Sequence, residues 1–211
     1  MVRCGCACPA HELLGDGQAW EADRCEYAQS MGKQFAGITD KLRAFIEAQH
    51  IFFVATAARD GRVNLSPKGL ESLRVVGPNR VVWVNAVGSG NETAAHLLDT
   101  PRMTLMFCSF DAKPQILRLY GTARALHRGD EGWDELLGLF PGFVGERNIF
   151  DVAVEMAQTS CGFGVPLMDF VADRDTMTDW LVKKGDDGLR EYERRNNLVS
   201  LDGLPTGLPV A

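Results

Sequence analysis

Apolar residues in this chain fall mostly in short runs with a two-residue repeat, the signature of β-strands half covered by a core. Residues 51–57 are aromatic and β-branched, and residues 62–66 alternate across a sheet. Asp60-Gly61 between these runs predicts a hairpin. Pro67 has no N–H for a ladder, so the second arm is expected to end or bulge there and to aim Lys68 off the sheet. Further strands are predicted over 70–76, 81–85, 103–109 and 150–158, with Gly77-Pro78-Asn79-Arg80 a turn. A long strand is predicted over 114–125, with Ile116, Arg118 and Tyr120 facing opposite to Gln115, Leu117 and Leu119. Gly121 within it predicts a bend at a barrel corner.

Helical spacing is confined to four places. Thr39 reads as the N-cap of a helix that carries Leu42, Phe45 and Ile46 on one face and runs to about His50. Residues 94–98 form a short helix stopped by Pro101. Residues 131–140 place Trp133, Leu136, Leu137 and Phe140 on one side. Residues 175–197 turn helical, with a break at Gly185. Strands in meander order with a few small helices predict a mainly β, α+β fold, a small barrel wrapped by helices. Residues 1–30 lack periodicity and read as a flexible extension, with Met31 as an alternative start. The barrel is expected over 31–170, with a helical extension over 171–211 packing on it.

Composition narrows the function class. A net charge of -6 argues against a nucleic-acid surface. No apolar run approaches a membrane span, and residues 1–30 do not read as a secretory signal, so a cytoplasmic protein is expected. Cys4, Cys6 and Cys8 alternate without a partner set at zinc spacing, so no metal is expected. Cys108 reads as a small buried hydrophobe. Cys161, between Ser160 and Gly162, reads as a small turn residue, with a redox thiol as the alternative. No Ser-His-Asp or Cys-His constellation stands out among the four histidines, so no catalytic side chain is assigned.

The chemistry is expected between Ser66 and Thr93. Ser66-Pro67-Lys68-Gly69 closes one strand, and Gly88-Ser89-Gly90-Asn91-Glu92-Thr93 joins a buried strand to a helix. Backbone N–H groups at a helix start favour an anion, phosphate above all, and Lys68 adds a positive charge nearby.

Four features resemble the FMN-binding split-barrel family of pyridoxamine 5′-phosphate oxidase-like proteins over residues 39–126. Lys68-Gly69 is similar to that family's Lys-Gly after an apolar triplet, and Trp83-Val84-Asn85 to its aromatic-Thr-Asn strand end. The Ser89-Gly90-Asn91-Glu92-Thr93 loop stands in place of a Ser-Arg-Lys-Gly phosphate loop. Gln115, fourteen positions after Pro101, opens a Gln-x-x-Arg-x-x-Gly pattern continued by Arg118 and Gly121. The resemblance implies a homodimeric split barrel, with FMN in clefts at the subunit interface. It implies that Val63, Asn64, Leu65 and Ser66 run along the flavin and that Lys68 approaches flavin or substrate. By the same resemblance Trp83 and Val84 line the ring edge, Ser89, Gly90, Asn91 and Thr93 hold phosphate, and Gln115 hydrogen-bonds the isoalloxazine. The loop lacks the Arg-Lys pair, and the C-terminal Trp-Arg-Leu-x-Pro signature for pyridoxal phosphate is missing. A branch distinct from the true oxidase is therefore expected: an FMN-dependent oxidoreductase acting with NAD(P)H or a small-molecule substrate. The alternatives are a non-catalytic flavin-, haem- or pyridoxal-binding protein and a deazaflavin-dependent reductase. For the last, Arg59, Arg62, Lys68, Arg74 and Arg80 are the candidate basic groove.

Overall fold

The structure, a computed structural model, describes residues 32–209. The extension 1–30, with Cys4, Cys6, Cys8 and Cys25, and Met31 lie outside the described residues. The strands are β1 (Gln34–Phe35), β2 (Phe52–Thr56), β3 (Asn64–Lys68), β4 (Leu73–Gly77), β5 (Arg80–Ala86), β6 (Arg102–Cys108), β7 (Ile116–Leu126) and β8 (Glu146–Ser160). The helices are α1 (Asp40–Glu47), α2 (Glu92–Asp99), α3 (Trp133–Leu137) and α4 (Thr176–Asn196).

All strand pairs are antiparallel, in the order β3-β2-β6-β7-β8-β5-β4, with β1 added to β8. In a flat sheet β2 and β5, four steps apart, would be separated by about 19 Å. Yet the rings of Phe52 on β2 and Trp83 on β5 have centroids 6.2 Å apart. Lys68 on edge strand β3 also reaches Asn85 on β5, at 3.1 Å. The sheet therefore curls until its edges face each other. No ladder joins β3 to β4, so the barrel remains split along that seam.

The inner face buries Val54, Leu105, Leu117, Leu119 and Phe150, with Leu42 and Ile46 of α1 closing one side. Thr39 caps α1 by accepting the Leu42 N–H at 3.3 Å, as its position predicts. The outer face of β5 and β8 buries Val82, Val84 and Ile149 beneath Trp133, Leu136 and Phe140. Helix α4 lays Leu181 and Leu189 on Ala86 and Val87, and it breaks at Gly185, where φ is 62° and ψ is 172°.

Several boundaries differ from the sequence reading. β3 runs through Pro67, which pairs opposite Phe53, because an edge strand can leave the missing donor on its open side. Residues 70–72 are not strand. Ser72 N–H closes a turn onto the Gly69 carbonyl at 3.3 Å, with Leu70 and Glu71 in the left-handed region at φ 58° and 51°. β8 starts four residues earlier than residue 150, because Glu146 and Asn148 pair with Ala86 and Asn85 of β5 despite their polarity, with Arg147 at the register shift between them. Helix α3 covers only the middle of 131–140.

Gly121 sits where the β7–β8 register shifts, and a Cβ there would overlap the Ala153 carbonyl. Gly121→Ala is expected to destabilise the chain by about 2 kcal/mol, since rigid backbone must move to admit the methyl group. Equilibrium urea unfolding measures this, and an unchanged midpoint would contradict the bulge.

Candidate active site

The candidate site forms where β3, the end of β5, the 88–91 loop and the start of β8 converge. Alternation along β3 turns Asn64, Ser66 and Lys68 inward and Leu65 and Pro67 outward. The Lys68 ammonium crosses the seam and donates to Asn85 Oδ1 at 3.1 Å. It lies 5.4 Å from the centre of the Trp83 ring. No carboxylate among the described residues forms an ion pair with it. Burial, and then the charge of Arg147, lower its pKa from 10.5 to about 8.

Arg147, at the start of β8, is 3% exposed. It donates from Nη1 to the Gly88 carbonyl at 3.2 Å and from Nη2 to the Gly90 carbonyl at 2.8 Å. Its Nε donates to Asn148 Oδ1 at 3.0 Å. Burial lowers its pKa to about 10, against the opposing pull of Glu193 and Tyr192. Asn197 adds a second donor to the Gly88 carbonyl at 2.9 Å.

These bonds fix the orientation of the loop. Across a trans peptide the carbonyl and the next N–H point in opposite directions. With the Gly88 and Gly90 carbonyls drawn inward, the Ser89 and Asn91 N–H groups face the other way, and no peptide bond in the described chain is cis. Ser89 and Gly90 are exposed. Asn91 precedes α2 but makes no side-chain cap, so its first-turn N–H groups stay unclaimed by it. The only acid in that turn, Glu92, instead accepts the Leu201 N–H at 3.0 and 3.1 Å. Outward amides, a helix start and the Lys68 ammonium, with the Arg147 charge behind the loop, suit an anion.

Asn64, Lys68 and Thr93 are linked at the end of the barrel that carries this loop, whereas Gln115 lies at the other end of the β7–β8 ladder, where Ile116 pairs with Ser160. Asn64 donates to Thr93 Oγ1 at 3.2 Å and so ties β3 to α2. Val63 and Leu65 stand outward, 72% and 62% exposed. Ser66 is half-buried. Gln115 lies just before β7, where its carbonyl accepts the Ser109 N–H at 2.9 Å. Gly162, at φ 67°, packs directly on the Gln115 backbone and leaves no room for a side chain, so Cys161 and its turn abut this residue. Cys108 is buried and Cys161 half-buried.

The expectation for Trp83 and Val84 needs correction. Trp83 is 0% exposed and stacks on Phe150 at 4.2 Å, while Val84 is 1% exposed in the outer core. β5 is flanked by strands on both edges and covered on both faces, so neither side chain can line a ring edge. The Asn91 side chain likewise turns inward, donating to the Asn197 carbonyl at 3.3 Å. Any ligand contact from Asn91 must come through its backbone.

Arg147 escaped the sequence reading. It lies 57 to 59 positions from the carbonyls it holds, and one arginine at a strand start carries no local signal.

Residues 38–155 match the family model described as pyridoxamine 5′-phosphate oxidase. The chain is 37% identical over 192 residues to the pyridoxamine 5′-phosphate oxidase family protein ustO of Aspergillus flavus, an alignment covering 81% of this chain and 76% of that protein. Solved structures similar to it include HupZ of Group A Streptococcus, at 19% identity and TM-score 0.47 over 56% of this chain and 91% of that one. Another is the general stress protein 26-related protein of Clostridium acetobutylicum, at 17% identity and TM-score 0.42 over 65% and 94%. The sequence relationship, extending over more than half of the chain and most of its relative, decides the matter: the chain belongs to the pyridoxamine 5′-phosphate oxidase family.

Proposed function

We propose that this protein is an FMN-dependent oxidoreductase that works as a homodimer. The observation that carries this reading is the 88–91 loop, folded over Arg147 with its amides outward and Lys68 on the same side of the barrel. The donor set fits the phosphate monoester of a mononucleotide. The bound flavin would supply two-electron transfer, and the chain would supply binding, orientation and exclusion of water. Lys68 would place a positive charge close to the ligand, and the backbone of β3 would run along it. Val63, Leu65, Phe163, Leu167 and Val171 are left exposed in the single chain, and a second copy covering such apolar side chains would complete the cleft.

The alternative ligands find less support. Arg59 pairs with Asp99 at 3.5 Å, Arg80 with Asp151 at 2.8 Å, and Arg62 with Asp202. Three of the five cations of that candidate groove thus already hold a carboxylate among the described residues, and Arg74 donates to the Glu71 and Leu73 carbonyls, which leaves less support for a deazaflavin tail. For haem, His96 is held by Thr56 at 3.1 Å and His127 by Asn148 at 3.1 Å, both buried, while His50 stacks on Phe170.

FMN titration of the purified chain, followed by anaerobic mixing with NAD(P)H, tests the reading. The expected result is one FMN bound per chain and bleaching of its visible absorbance. FMN that binds but stays oxidised with every donor would favour a ligand-binding role. No FMN binding would overturn the proposal.

A further inference from the structure

The 88–93 loop contains no cation of its own, and its one charged side chain, Glu92, is negative and occupied by Leu201. A dianion at this loop must therefore find its countercharge elsewhere. Two cations lie close by among the described residues, half-buried Lys68 from the seam and buried Arg147 from beneath the loop.

Resting on the flavin reading, we propose that Arg147 is the positioning residue that selects a phosphate-bearing flavin over an unphosphorylated one. It does so by holding the Gly88 and Gly90 carbonyls inward and by placing a positive charge, with no ion-pair partner among the described residues, behind the outward amides. Both effects act on the same ligand group. Without the guanidinium, the Gly90 carbonyl loses its donor while the Gly88 carbonyl keeps only Asn197, so the Gly90–Asn91 peptide plane is free to rotate and bring a carbonyl oxygen toward the anion. With it, the Ser89 and Asn91 N–H groups face outward.

The far side of Arg147 supports this assignment. There the residue lines a cavity of about 250 Å³ with Arg128, Arg190, Arg194 and Glu193. Arg128 pairs with Glu146 at 2.9 Å, Arg190 with Glu193 at 3.5 Å and Arg194 with Glu191 at 3.0 Å. Arg147 forms no ion pair with a carboxylate among the described residues. Glu193, 5% exposed and with Oε1 lacking a partner, is the acid whose charge bears on Arg147. Removing that charge should strengthen the field at the loop, and removing Arg147 should weaken it. The two substitutions are thus expected to act in opposite directions, which loss of packing would not produce.

The test compares FMN and riboflavin affinities, by fluorescence titration, for the parent chain and for Arg147→Gln, Arg147→Lys and Glu193→Gln. Riboflavin lacks the phosphate, so the affinity ratio within one variant cancels general damage. Arg147→Gln is expected to lower the FMN-to-riboflavin ratio about 10- to 100-fold, the range of one charge-assisted hydrogen bond. Arg147→Lys should restore much of it, and Glu193→Gln should raise FMN affinity several-fold with riboflavin unchanged. If Arg147→Gln fails to fold, the Glu193→Gln arm still decides. An unchanged ratio in Arg147→Gln, or Glu193→Gln weakening both ligands equally, would overturn the inference while leaving the flavin reading intact. A parent chain that binds neither flavin would overturn both.

Discussion

Replacing Lys68 with methionine is expected to stabilise the ligand-free chain by about 1 kcal/mol or more and to lower FMN affinity about 10- to 100-fold near neutral pH. Both effects follow from one fact. The ammonium sits in a site of low solvent access with an amide oxygen and an indole face as its partners. Methionine keeps the length of the side chain and removes the charge that must be desolvated. The pH dependence has a definite sign. With the folded pKa lowered to about 8 from 10.5, the cost of burying the charge is fully present below about 8. As pH rises from about 8 to 10.5 the folded chain gives up its proton before the unfolded chain does, so the parent gains stability over that window. The advantage of Lys68→Met should therefore shrink as pH rises. Bound anion has the opposite preference, because it favours the protonated ammonium. Parental FMN affinity should accordingly fall as pH rises above about 8, and the variant should lack that fall. Urea unfolding at both ends of this window, with FMN titrations alongside, checks the set. A variant less stable than the parent, with undiminished FMN affinity, would mean that the ammonium lies in water.

The second large effect is expected at Trp83. Trp83→Ala should destabilise by about 3–5 kcal/mol, a substantial part of the roughly 5–15 kcal/mol typical of a folded domain. The indole is among the largest fully buried side chains, face to face with Phe150 at 4.2 Å and edge-on to Phe52 at 6.2 Å. Trp83→Phe should be far milder. It retains an aromatic ring on Phe150 and removes the indole Nε1, a buried donor without a hydrogen-bond partner. Thermal and urea unfolding of the two variants measure the difference. A side chain lining a ligand would behave otherwise, with Trp83→Ala changing FMN affinity and leaving the melt nearly unmoved.

Features that are legible in the sequence rest on local rules. Thr39 caps because its hydroxyl needs only the N–H three residues on. Gly185 breaks α4 because its conformation, at φ 62° and ψ 172°, suits no other residue well. Leu117 and Leu119 are buried between half-buried neighbours because side chains alternate along any strand. The loop before α2 can be read as an anion site because helix starts always leave N–H groups open.

The misreadings share a different origin. Pro67 reads as the end of a strand, but only the sheet order reveals that β3 is an edge. Trp83 reads as a neighbour of the ligand, although the rings around it, Phe52 and Phe150, lie 31 and 67 positions away in the chain. Arg147 gives no sign because its partners are backbone carbonyls, which every residue possesses.

Local chain chemistry was enough to set the periodicities, caps and turns that produce an antiparallel sheet with a few helices, and it marked the loop where an anion would find open amides. The enclosed side of each strand, the meeting of the sheet edges and the distant cation beneath the loop were settled by the assembled barrel alone. The reason is physical. Capping and alternation act within a few residues, whereas the charge and burial of Lys68, Trp83 and Arg147 depend on contacts that exist only once the sheet has curled.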